Sequence, residues 1–523
     1  MANIPKKITE RIRAIIINSD KILIINRVKG DDSYWVIPGG AVEIGETHEQ
    51  AIKRESLEEL GVKVVVEKLF LQRASDKQGM EGQLEFFYLC EIVGGKIGTG
   101  NGPEFQPKTK YRGEYKIKWV SLRELPNLNL KPVEVKNKII QQAILDKINH
   151  LIVDDADIQK VVDVLKSGFL SKPEGGPRTV EFQKRMAELH GKKYAFAVNS
   201  GTSALHCAII SLGLQRGDEV IVPALANIAD CSVVLQEGGK PIFVDINQKD
   251  FNVDPAKIEE KINTKTKAIT VVHMYGQPVR MKEIKKIADK HKLILIEDCA
   301  QATGAKYNNK YVGSFGDISC FSLYQTKHII CGEGGMVITS VESYAKIIAS
   351  IANNGIMKQD LDAYNYDRIG FNYQLTDMQA ALGIGQLEKL DENNNKRRIN
   401  ADVFRDLLKG TDIQFQYSES NTKSSYFYLT GLLPRNLSDQ RDEFLELVKS
   451  FGIPIKKLYP LALTEISLIR NKKIKQDCPV AQDITKRIFN VYVNPELDRE
   501  NIEFMAKAIK KAYETIKANS YHR

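Results

Sequence analysis

The chain has 523 residues, a length that favours more than one hydrophobic core. Hydrophobic residues make up 43% and charged residues 27%, which excludes a disordered or fibrous protein and indicates a globular one. The net charge of +9 is mild and is not gathered with aromatic residues into a basic face. We therefore expect no nucleic-acid partner, and acidic small-molecule substrates fit the charge equally well.

The seven cysteines are widely scattered without a Cys-x-x-Cys pair, which favours reduced thiols. The amino terminus carries positive charge but only a short apolar run. No later stretch approaches the roughly 18 uninterrupted apolar residues of a membrane span. The sequence thus predicts a cytoplasmic protein with neither a secretion signal nor a membrane segment.

The first part of the chain has the pattern of short strands around one helix. The helix is predicted from Thr47 to Leu60, and the strands are RIRAIIIN, KILIINRV, YWVI, GQLEFFYLCEIV and YKIKWVSL. A new amphipathic pattern starts at LIVDDADIQKVVDVLKSGFLS. We therefore place a boundary near residues 148–152, with domains at residues 1–148 and 149–523.

From Tyr194 onward, apolar β runs alternate with helical segments, which is the pattern of a parallel sheet with crossover helices. Ligand-binding residues then belong at the carboxyl ends of the strands. After about Leu387 the pattern changes to a long charged helix followed by shorter pieces. The sequence predicts an α/β chain with a large doubly wound domain at residues 149–390 and a smaller lobe at residues 391–523.

The predicted helix of the first part carries three glutamates on one face. Thr47 and Gln50 form a capping box, which sets the start of the helix. Glu55, Glu58 and Glu59 would repel by about 0.2–0.5 kcal/mol per pair unless a cation lies among them. Mg²⁺ is a hard cation that binds carboxylates, waters and phosphate oxygens. A solvated acidic face is the alternative, and it would be the better interpretation of an isolated Glu-x-x-Glu-Glu.

The whole string around these glutamates resembles the Nudix box. Its elements, in order, are Gly40, Glu46 after five residues, Arg54-Glu55 after seven more, and Glu58-Glu59-x-Gly61-Val62. The resemblance covers about residues 8–145. It implies an α/β/α sandwich that uses Mg²⁺ to hydrolyse a nucleoside diphosphate linked to another group.

By this resemblance Glu55, Glu58 and Glu59 would hold the metal, with Glu58 as a catalytic residue. Glu46 and Arg54 would brace the loop and the helix. Ser56 departs from the pattern, which usually has an aliphatic residue there. A noncatalytic module that senses nucleotide and regulates the second domain is the alternative to a hydrolase.

Three later segments meet if the second part is doubly wound. VNSGTSALHCAI ends a strand and opens a helix, where amides and hydroxyls can bind a phosphate. LILIEDCAQATGA brings Asp298 to a strand end, where a buried carboxylate needs a cationic partner, with Gln301 one turn further on. Lys327 lies between a Ser-rich strand and a glycine-rich turn at residues 332–335.

Together these segments supply what pyridoxal phosphate chemistry needs. Lys327 would condense with the aldehyde, and Asp298 would keep the pyridine nitrogen protonated. Gly201, Thr202 and Ser322 would bind the phosphate, and we call these three residues the phosphate cup. Taken singly, each would more often be a surface lysine, a capping aspartate or a turn residue, but their order and strand context favour the cofactor site.

Residues from about 152 to 520 resemble the DegT/DnrJ/EryC1/StrS group of sugar aminotransferases, which have the type I fold. The matching stretches are NSGTSAL, DEVIVPAL, GGKPIFVDIN, EDCAQATGA, GSFGDISCFSLYQTK, GEGG, IGFNYQLTDMQAALGIGQLEKLD and LYPLAL. The resemblance implies a homodimer with shared sites, in which Asn372 reaches the partner's cofactor phosphate and Gln301 lies near the cofactor ring. The implied substrates are a nucleotide-linked keto sugar and an amino acid donor, usually glutamate.

Two positions depart from that family. Asn227 stands where an aromatic ring normally stacks on the cofactor, a contact of about 0.5–1.5 kcal/mol that another residue would have to supply. Gln374 stands where a basic residue is common. Lys327 is retained and His328 merely follows it, whereas relatives that dehydrate carry His in place of the lysine. The sequence therefore predicts a transaminase in a bifunctional chain, and a nonenzymatic regulator would require the loss of the lysine or the phosphate cup.

Overall fold

The computed structural model describes residues 10–29, 32–75, 83–102, 114–149, 153–172, 175–356, 366, 368–472, 474 and 476–520. The chain divides into two compact units, Met1–Asp146 and Lys147–Arg523. Within the described ranges, no helix combines the length and the apolar character that crossing a lipid bilayer would require. All seven cysteines are buried free thiols.

A seven-stranded mixed sheet forms the centre of the first unit. Its strands are β1 (Glu10–Asn18), β2 (Lys21–Lys29), β3 (Asp32–Val36), β4 (Val62–Ala74), β5 (Leu84–Gly95), β6 (Glu114–Ser121) and β7 (Leu130–Lys131). The order is β4-β5-β1-β2-β3-β7, with β6 paired to β2. The sequence pattern missed β4 because its register against β5 shifts three times, which breaks the apolar alternation.

The helices of the first unit are α1 (His48–Glu55) and α2 (Val133–Asn149). Thr47 and Gln50 form the predicted capping box at the start of α1. The prediction of one regular helix from Thr47 to Leu60 was wrong in its second half, because a wider π-helical turn occupies Ser56–Leu60. Gly61 ends this turn with a φ of 78°, a conformation that glycine adopts without strain. The carboxylates of this turn therefore lack the angular spacing of an α-helix.

A second seven-stranded sheet forms the centre of the large unit. Its strands are β8 (Tyr194–Val198), β9 (Glu219–Pro223), β10 (Lys240–Val244), β11 (Thr266–Val272), β12 (Ile294–Asp298), β15 (Ile318–Ser322) and β16 (Gly335–Thr339), and the two short strands β13 (Lys306–Tyr307) and β14 (Lys310–Tyr311) intervene in sequence. The order is β10-β9-β11-β12-β15-β16-β8. Only β16 runs antiparallel to its neighbours. Both faces of such a sheet are covered, which explains why its strands are almost wholly apolar.

Helices connect and cover these strands. They are α3 (Asp155–Ser167), α4 (Pro177–Leu189), α5 (Gly201–Ser211), α6 (Ala229–Gln236), α7 (Pro255–Glu259), α8 (Met281–His291), α9 (Glu342–Ala352), α10 (Asp377–Glu388) and α11 (Leu390–Leu407). Crossover helices between parallel strands confirm the prediction of a doubly wound sheet.

The remaining elements form two small sheets and four helices. The strands are β17 (Gln414–Phe415), β18 (Thr422–Lys423), β19 (Leu429–Leu432), β20 (Ile455–Lys456) and β21 (Ile488–Val491), and the helices are α12 (Arg441–Ser450), α13 (Ser467–Asn471), α14 (Pro479–Arg487) and α15 (Arg499–Ser520). Four of these strands pair in the order β17-β19-β21-β20, and β18 joins β13 and β14.

Candidate active sites

The phosphate cup lies at the start of α5, directly after β8. Ser200 caps this helix by accepting a hydrogen bond from the Ser203 amide at 3.0 Å. A Cβ at Gly201 would lie 2.8 Å from the Cβ of Ser322, so only glycine allows the two segments to approach this closely. Thr202 is exposed at the first turn, where backbone amides and the helix dipole favour an anion. The structure thus brings the three predicted residues of the cup together.

The segment that contains Asn372 runs beside this cup in the same chain. The Asn199 amide donates to the carbonyl of Tyr373 at 2.7 Å, and the Asn199 side chain donates to the carbonyl of Asn372 at 3.3 Å. The Asn372 side chain is exposed. Its contact with a partner's phosphate stays a prediction, whereas Gln374 uses its amide to donate to Asn353 at 2.6 Å.

Asp298 is the last residue of β12 and is only 3% exposed. One of its carboxylate oxygens accepts a hydrogen bond from the Ala300 amide at 2.8 Å. A second buried carboxyl, that of Asp230 on α6, lies in contact with it and is 1% exposed. Burial raises the pKa of Asp230 well above its usual range, and the neighbouring Asp298 raises it further. Sequence reasoning missed Asp230, although an acidic residue within the apolar run VPALANIADCSVV was a signal for it.

Lys327 follows β15 in a loop and is half-buried. Its Nζ lies 4.3 Å from the centre of the Phe427 ring. Burial lowers the pKa of Lys327 from 10.5 to about 8, with the charge of Asp298 acting in the opposite direction. About a tenth of the amine is therefore neutral at pH 7, far more than for an ordinary lysine, and the neutral amine is the nucleophile. His328 is buried and bonds instead to the carbonyl of Ser425 at 3.1 Å.

Tyr459 is a further residue of this site that sequence reasoning missed. Its hydroxyl accepts hydrogen bonds from the side-chain amides of Gln301 and Asn227, both at 3.2 Å. The Gln301 side-chain oxygen in turn accepts from the Tyr275 amide at 3.0 Å. The signal lay in LYPLAL, which matched the family but gave no role for its tyrosine. The side chain of Tyr459, which is aromatic, thus contacts Asn227, the position where the family normally has an aromatic residue.

In the first unit, Arg54 on α1 binds three carboxylates. It holds Glu46 at two points, with nitrogen-to-oxygen distances of 2.8 and 2.9 Å, which is the brace that the sequence predicted. The same guanidinium donates to Glu55 at 2.9 Å and to Glu58 at 3.2 Å. The hydrogen bond from Arg54 lowers the pKa of Glu46, whereas burial raises the pKa of Glu55. Arg54 therefore supplies a cation among the acidic side chains.

Two glycines shape the loop that faces these carboxylates. The Gly39 amide donates to Glu59 at 2.7 Å, and Arg27 lies 3.8 Å from the other oxygen of Glu59. A Cβ at Gly40 would lie 2.0 Å from a carboxylate oxygen of Glu55. A side chain at Gly40 would therefore displace the Glu55 carboxylate from its present position.

The three predicted metal ligands do not bring one oxygen each within 4.8 Å of one another, since among the described residues only His273, Glu297 and Cys299 meet that distance. Glu59 instead accepts from the Gly39 amide, whereas Glu55 and Glu58 bond to Arg54, and a π-helical turn spans residues 58 and 59. The donor set of three carboxylates still has the chemistry that Mg²⁺ prefers, and Gly40 keeps the Glu55 carboxylate close to the loop.

The group of His273, Glu297 and Cys299 has a structural role. Glu297 accepts hydrogen bonds from the amides of Gly313 and Phe315, each at 2.8 Å. His273 uses Nδ1 to accept from the Val279 amide at 3.1 Å, which leaves its Nε2 as the donor to Glu297 at 3.2 Å. His273 and Glu297 thus have hydrogen-bond partners within the protein, and these bonds fix the loops after β11 and β12.

Comparison with known proteins agrees with this geometry. Residues 152–510 match the sequence model of the DegT/DnrJ/EryC1/StrS aminotransferase family, and residues 8–142 match that of the NUDIX domain. Because the first match extends over more than half of the chain, the chain belongs to the DegT/DnrJ/EryC1/StrS aminotransferase family, with a NUDIX domain at its amino-terminal side. Both resemblances predicted from the sequence are confirmed.

Relatives and solved structures give the same result. The GDP-perosamine synthase of Escherichia coli O157:H7 is 34% identical over 333 residues, which are 64% of this chain and 89% of the relative. A UDP-2-acetamido-2-deoxy-3-oxo-D-glucuronate aminotransferase of Pseudomonas aeruginosa is 32% identical over 378 residues, 72% of this chain and 98% of the relative. The aminotransferase PseC of Helicobacter pylori superposes with a TM-score of 0.67 at 27% identity, covering 70% of this chain and 98% of its own. The large unit therefore has the predicted type I fold.

The residues present fit pyridoxal phosphate. Lys327 offers an amine of lowered pKa for the aldehyde, and Asp298 offers a buried carboxylate for the ring nitrogen. Gly201 leaves space that a Cβ would fill at the start of α5, where a phosphate is favoured. The three groups that the cofactor requires thus lie at the carboxyl edge of one sheet.

Proposed function

We propose that residues 149–523 form a pyridoxal phosphate-dependent aminotransferase that converts a nucleotide-linked keto sugar to an amino sugar with an amino acid, usually glutamate, as donor. The observation that supports this best is the amine of Lys327, whose pKa burial lowers to about 8 beside the carboxylate of Asp298. Two relatives support the substrate class by their names, a GDP-perosamine synthase and an aminotransferase of a UDP-linked 3-oxo sugar acid.

Each residue of the site has a defined task in this proposal. Bound pyridoxal phosphate supplies the electron sink that stabilises negative charge at the α-carbon of the donor. The Nζ of Lys327 would take the proton from that carbon and deliver it to the aldehyde carbon of the cofactor, and with the keto sugar it would carry a proton back from there to the carbon that held the keto oxygen, so it acts as both general base and general acid. Asp298 keeps the ring nitrogen protonated, and the phosphate cup holds the phosphate group.

Further residues would contact the cofactor ring and the subunit interface. Tyr459 supplies the aromatic contact that Asn227 cannot, while Gln301 holds the Tyr459 hydroxyl in place. Asn372, whose side chain is exposed, contacts the phosphate of the partner subunit in a homodimer. The two sites of the dimer are shared in this arrangement.

The decisive experiment is a mass-spectrometric assay of the purified protein with several nucleotide-linked keto sugars and glutamate. We expect the mass change of a keto group replaced by an amine. Lys327→Ala abolishes this change and the borohydride-sensitive bond to the cofactor. Lys346→Ala, an exposed lysine on α9, is the matched control and keeps both. Amino transfer at the normal rate without Lys327 would contradict the assignment.

We further propose that residues 1–148 hydrolyse a nucleoside diphosphate derivative with Mg²⁺ held by Glu55, Glu58 and Glu59. The hydrolase and the aminotransferase would then serve the same pathway, in which the hydrolase removes unwanted nucleotide sugars or related diphosphates. The support is the Nudix box together with the carboxylates gathered around Arg54.

This second activity has its own test, which is the release of nucleoside monophosphate from a panel of diphosphates with Mg²⁺. Glu58→Gln should abolish the release. Glu49→Gln, on the exposed face of the same helix, should preserve it. Tight nucleotide binding without any release would favour a sensing module instead.

A further inference from the structure

Asp230 presents its carboxyl to the cofactor-binding aspartate. The two side chains come from separate elements, Asp230 from the first turn of α6 and Asp298 from the end of β12. They are 1% and 3% exposed and lie in contact with each other. Within the described part of the chain, neither oxygen of Asp230 accepts a well-formed hydrogen bond, and the amides of Asn227 and of Asp230 itself act on this carboxyl more weakly than burial and Asp298 do.

Two buried carboxylates in contact cannot both be charged, because repulsion adds to the loss of hydration. One proton shared by the pair turns this repulsion into a hydrogen bond. The partners of the two carboxyls decide where the proton resides. Burial raises the pKa of Asp298, but the Ala300 amide, which donates to it at 2.8 Å, and the charge of Lys327 both favour its charged form. Asp230 has only backbone amides acting on it and no such cation, so the proton belongs on Asp230.

Among the residues that the structure describes, the surrounding titratable groups do not offer Asp230 another cation. The groups that interact with the pair are Cys231 on α6, Cys299 after β12, Cys320 on β15, His273 after β11, Tyr459 and Lys327. Burial raises the pKa of the three thiols and of the phenol, which keeps these four groups neutral. His273 is engaged by Glu297 and Val279, as described above. The cation among these groups is Lys327, and its positive charge favours the charged form of Asp298.

We propose that Asp230 is a positioning residue that remains a neutral carboxylic acid in the folded protein and donates a hydrogen bond to the carboxylate of Asp298. The donated bond fixes the orientation of Asp298 and withdraws part of its negative charge. Its effect on the cofactor rests on the proposed function, because Asp298 is the partner of the ring nitrogen there. Asp230 thereby sets how strongly Asp298 favours positive charge at the bound cofactor.

The test uses the visible absorbance of the cofactor in the loaded enzyme, titrated with pH without any substrate. Asp230→Ala removes the hydrogen-bond donor and leaves Asp298 more basic. The more basic Asp298 keeps the bound cofactor in its protonated, cationic form up to a higher pH. We expect the midpoint of the titration to rise by about one pH unit, the size expected for losing one charge-assisted hydrogen bond. Asp230→Asn keeps an N–H donor of the same shape, so the midpoint should stay at the wild-type value.

The opposite pattern would overturn the proposal. If Asp230 were ionised, both substitutions would remove a negative charge and lower the midpoint. If Asp230 only filled space, Asp230→Ala would leave the midpoint unchanged. Should the alanine variant fail to fold, a lowered midpoint for Asp230→Asn alone is sufficient to refute the neutral acid.

Infrared spectroscopy tests the proton on Asp230 without any dependence on the cofactor. The protein as purified should show the carbonyl stretch of a protonated carboxyl at neutral pH, and this band should vanish in Asp230→Asn. Asp289→Asn, an exposed residue on α8, is the control and keeps the band. Absence of this carbonyl band from the wild-type protein would contradict the proposal. If no variant binds pyridoxal phosphate, the proposed function fails while the infrared result still decides the state of Asp230.

Discussion

The hydroxyl of Tyr459 lies 3.2 Å from the side-chain nitrogen of Gln301 and accepts its hydrogen bond. This bond attaches the loop after β20 to the turn after β12. Asn227 donates to the same hydroxyl, so three loops from distant parts of the chain share one oxygen atom. Tertiary packing thus brings an aromatic residue next to Asn227, the position where the sequence pattern lacked one.

Two replacements of Tyr459 should weaken cofactor binding to different extents. Tyr459→Ala removes the ring and should raise the Kd for pyridoxal phosphate about two- to tenfold, corresponding to about 0.5–1.5 kcal/mol. Tyr459→Phe keeps the ring and loses only the hydroxyl, so its Kd should lie closer to that of the wild type. Fluorescence titration of the cofactor-free protein measures both. Equal losses would assign the contribution to the hydroxyl rather than the ring.

Capture of pyridoxal phosphate by Lys327 should depend on pH. The amine reacts only when neutral, and its pKa of about 8 means that the rate rises as the pH increases through 8. Asp298→Asn removes the negative charge that favours the protonated amine, so the midpoint should move to lower pH. Stopped-flow absorbance with a fixed cofactor concentration gives the profile. A midpoint near the ordinary lysine value of 10.5 would contradict the burial effect.

Loss of Arg54 should destabilise the first unit. Arg54→Ala leaves Glu46, Glu55 and Glu58 without their shared cation, and because the groups are partly exposed we expect a loss of only about 1–2 kcal/mol. Urea unfolding measures this, with Lys53→Ala on the same helix as the control. Millimolar Mg²⁺ should restore more stability to the variant than to the wild type, because it replaces the missing charge.

The loss in Arg54→Ala should also depend on pH. Arg54 depresses the folded-state pKa of Glu46 below its ordinary value of 4.5. Stabilisation from a depressed carboxylate pKa is complete above the unfolded value and disappears as the pH falls through the folded value. The difference between variant and wild type should therefore shrink below about pH 4.5. A difference that stays constant down to strongly acid pH would show that Glu46 does not carry it.

Ser56→Ala should stabilise the first unit. The Ser56 hydroxyl is buried without a hydrogen-bond partner, and its residue is 1% exposed. Removing an unsatisfied hydroxyl should raise the free energy of unfolding by about 1 kcal/mol. Ser211→Ala is the contrasting variant, because that buried hydroxyl donates to the Ala208 carbonyl at 2.7 Å and its loss should lower stability. Thermal unfolding with and without urea distinguishes the two signs.

Local patterns predicted the residues that stand at strand ends. Gly201, Asp298 and Lys327 each follow or end a buried strand, and parallel strands place such residues at one edge of a sheet. That rule needs no knowledge of side-chain packing. The capping box at Thr47 was predicted for the same reason, since its contacts span only three residues.

The remaining features depend on contacts between distant segments or on departures from regular geometry. Asp230 and Tyr459 reach Asp298 and Gln301 only after the large unit has packed. The widening of the helix at Ser56 and the irregular register of β4 break the periodicities on which strand and helix predictions rest. The predicted arrangement of Glu58 and Glu59 on an α-helical face was wrong for that reason.

The position of β8 has a consequence for how the protein is made. This strand comes first in the large sheet by sequence, yet it occupies the edge and pairs with β16, Tyr194 lying opposite Thr339. A ribosome must therefore deliver everything up to Thr339 before β8 finds its neighbour. Until then the nascent chain carries an apolar segment with unpaired amides and carbonyls, which makes this interval of translation the stage at which chaperones would matter most.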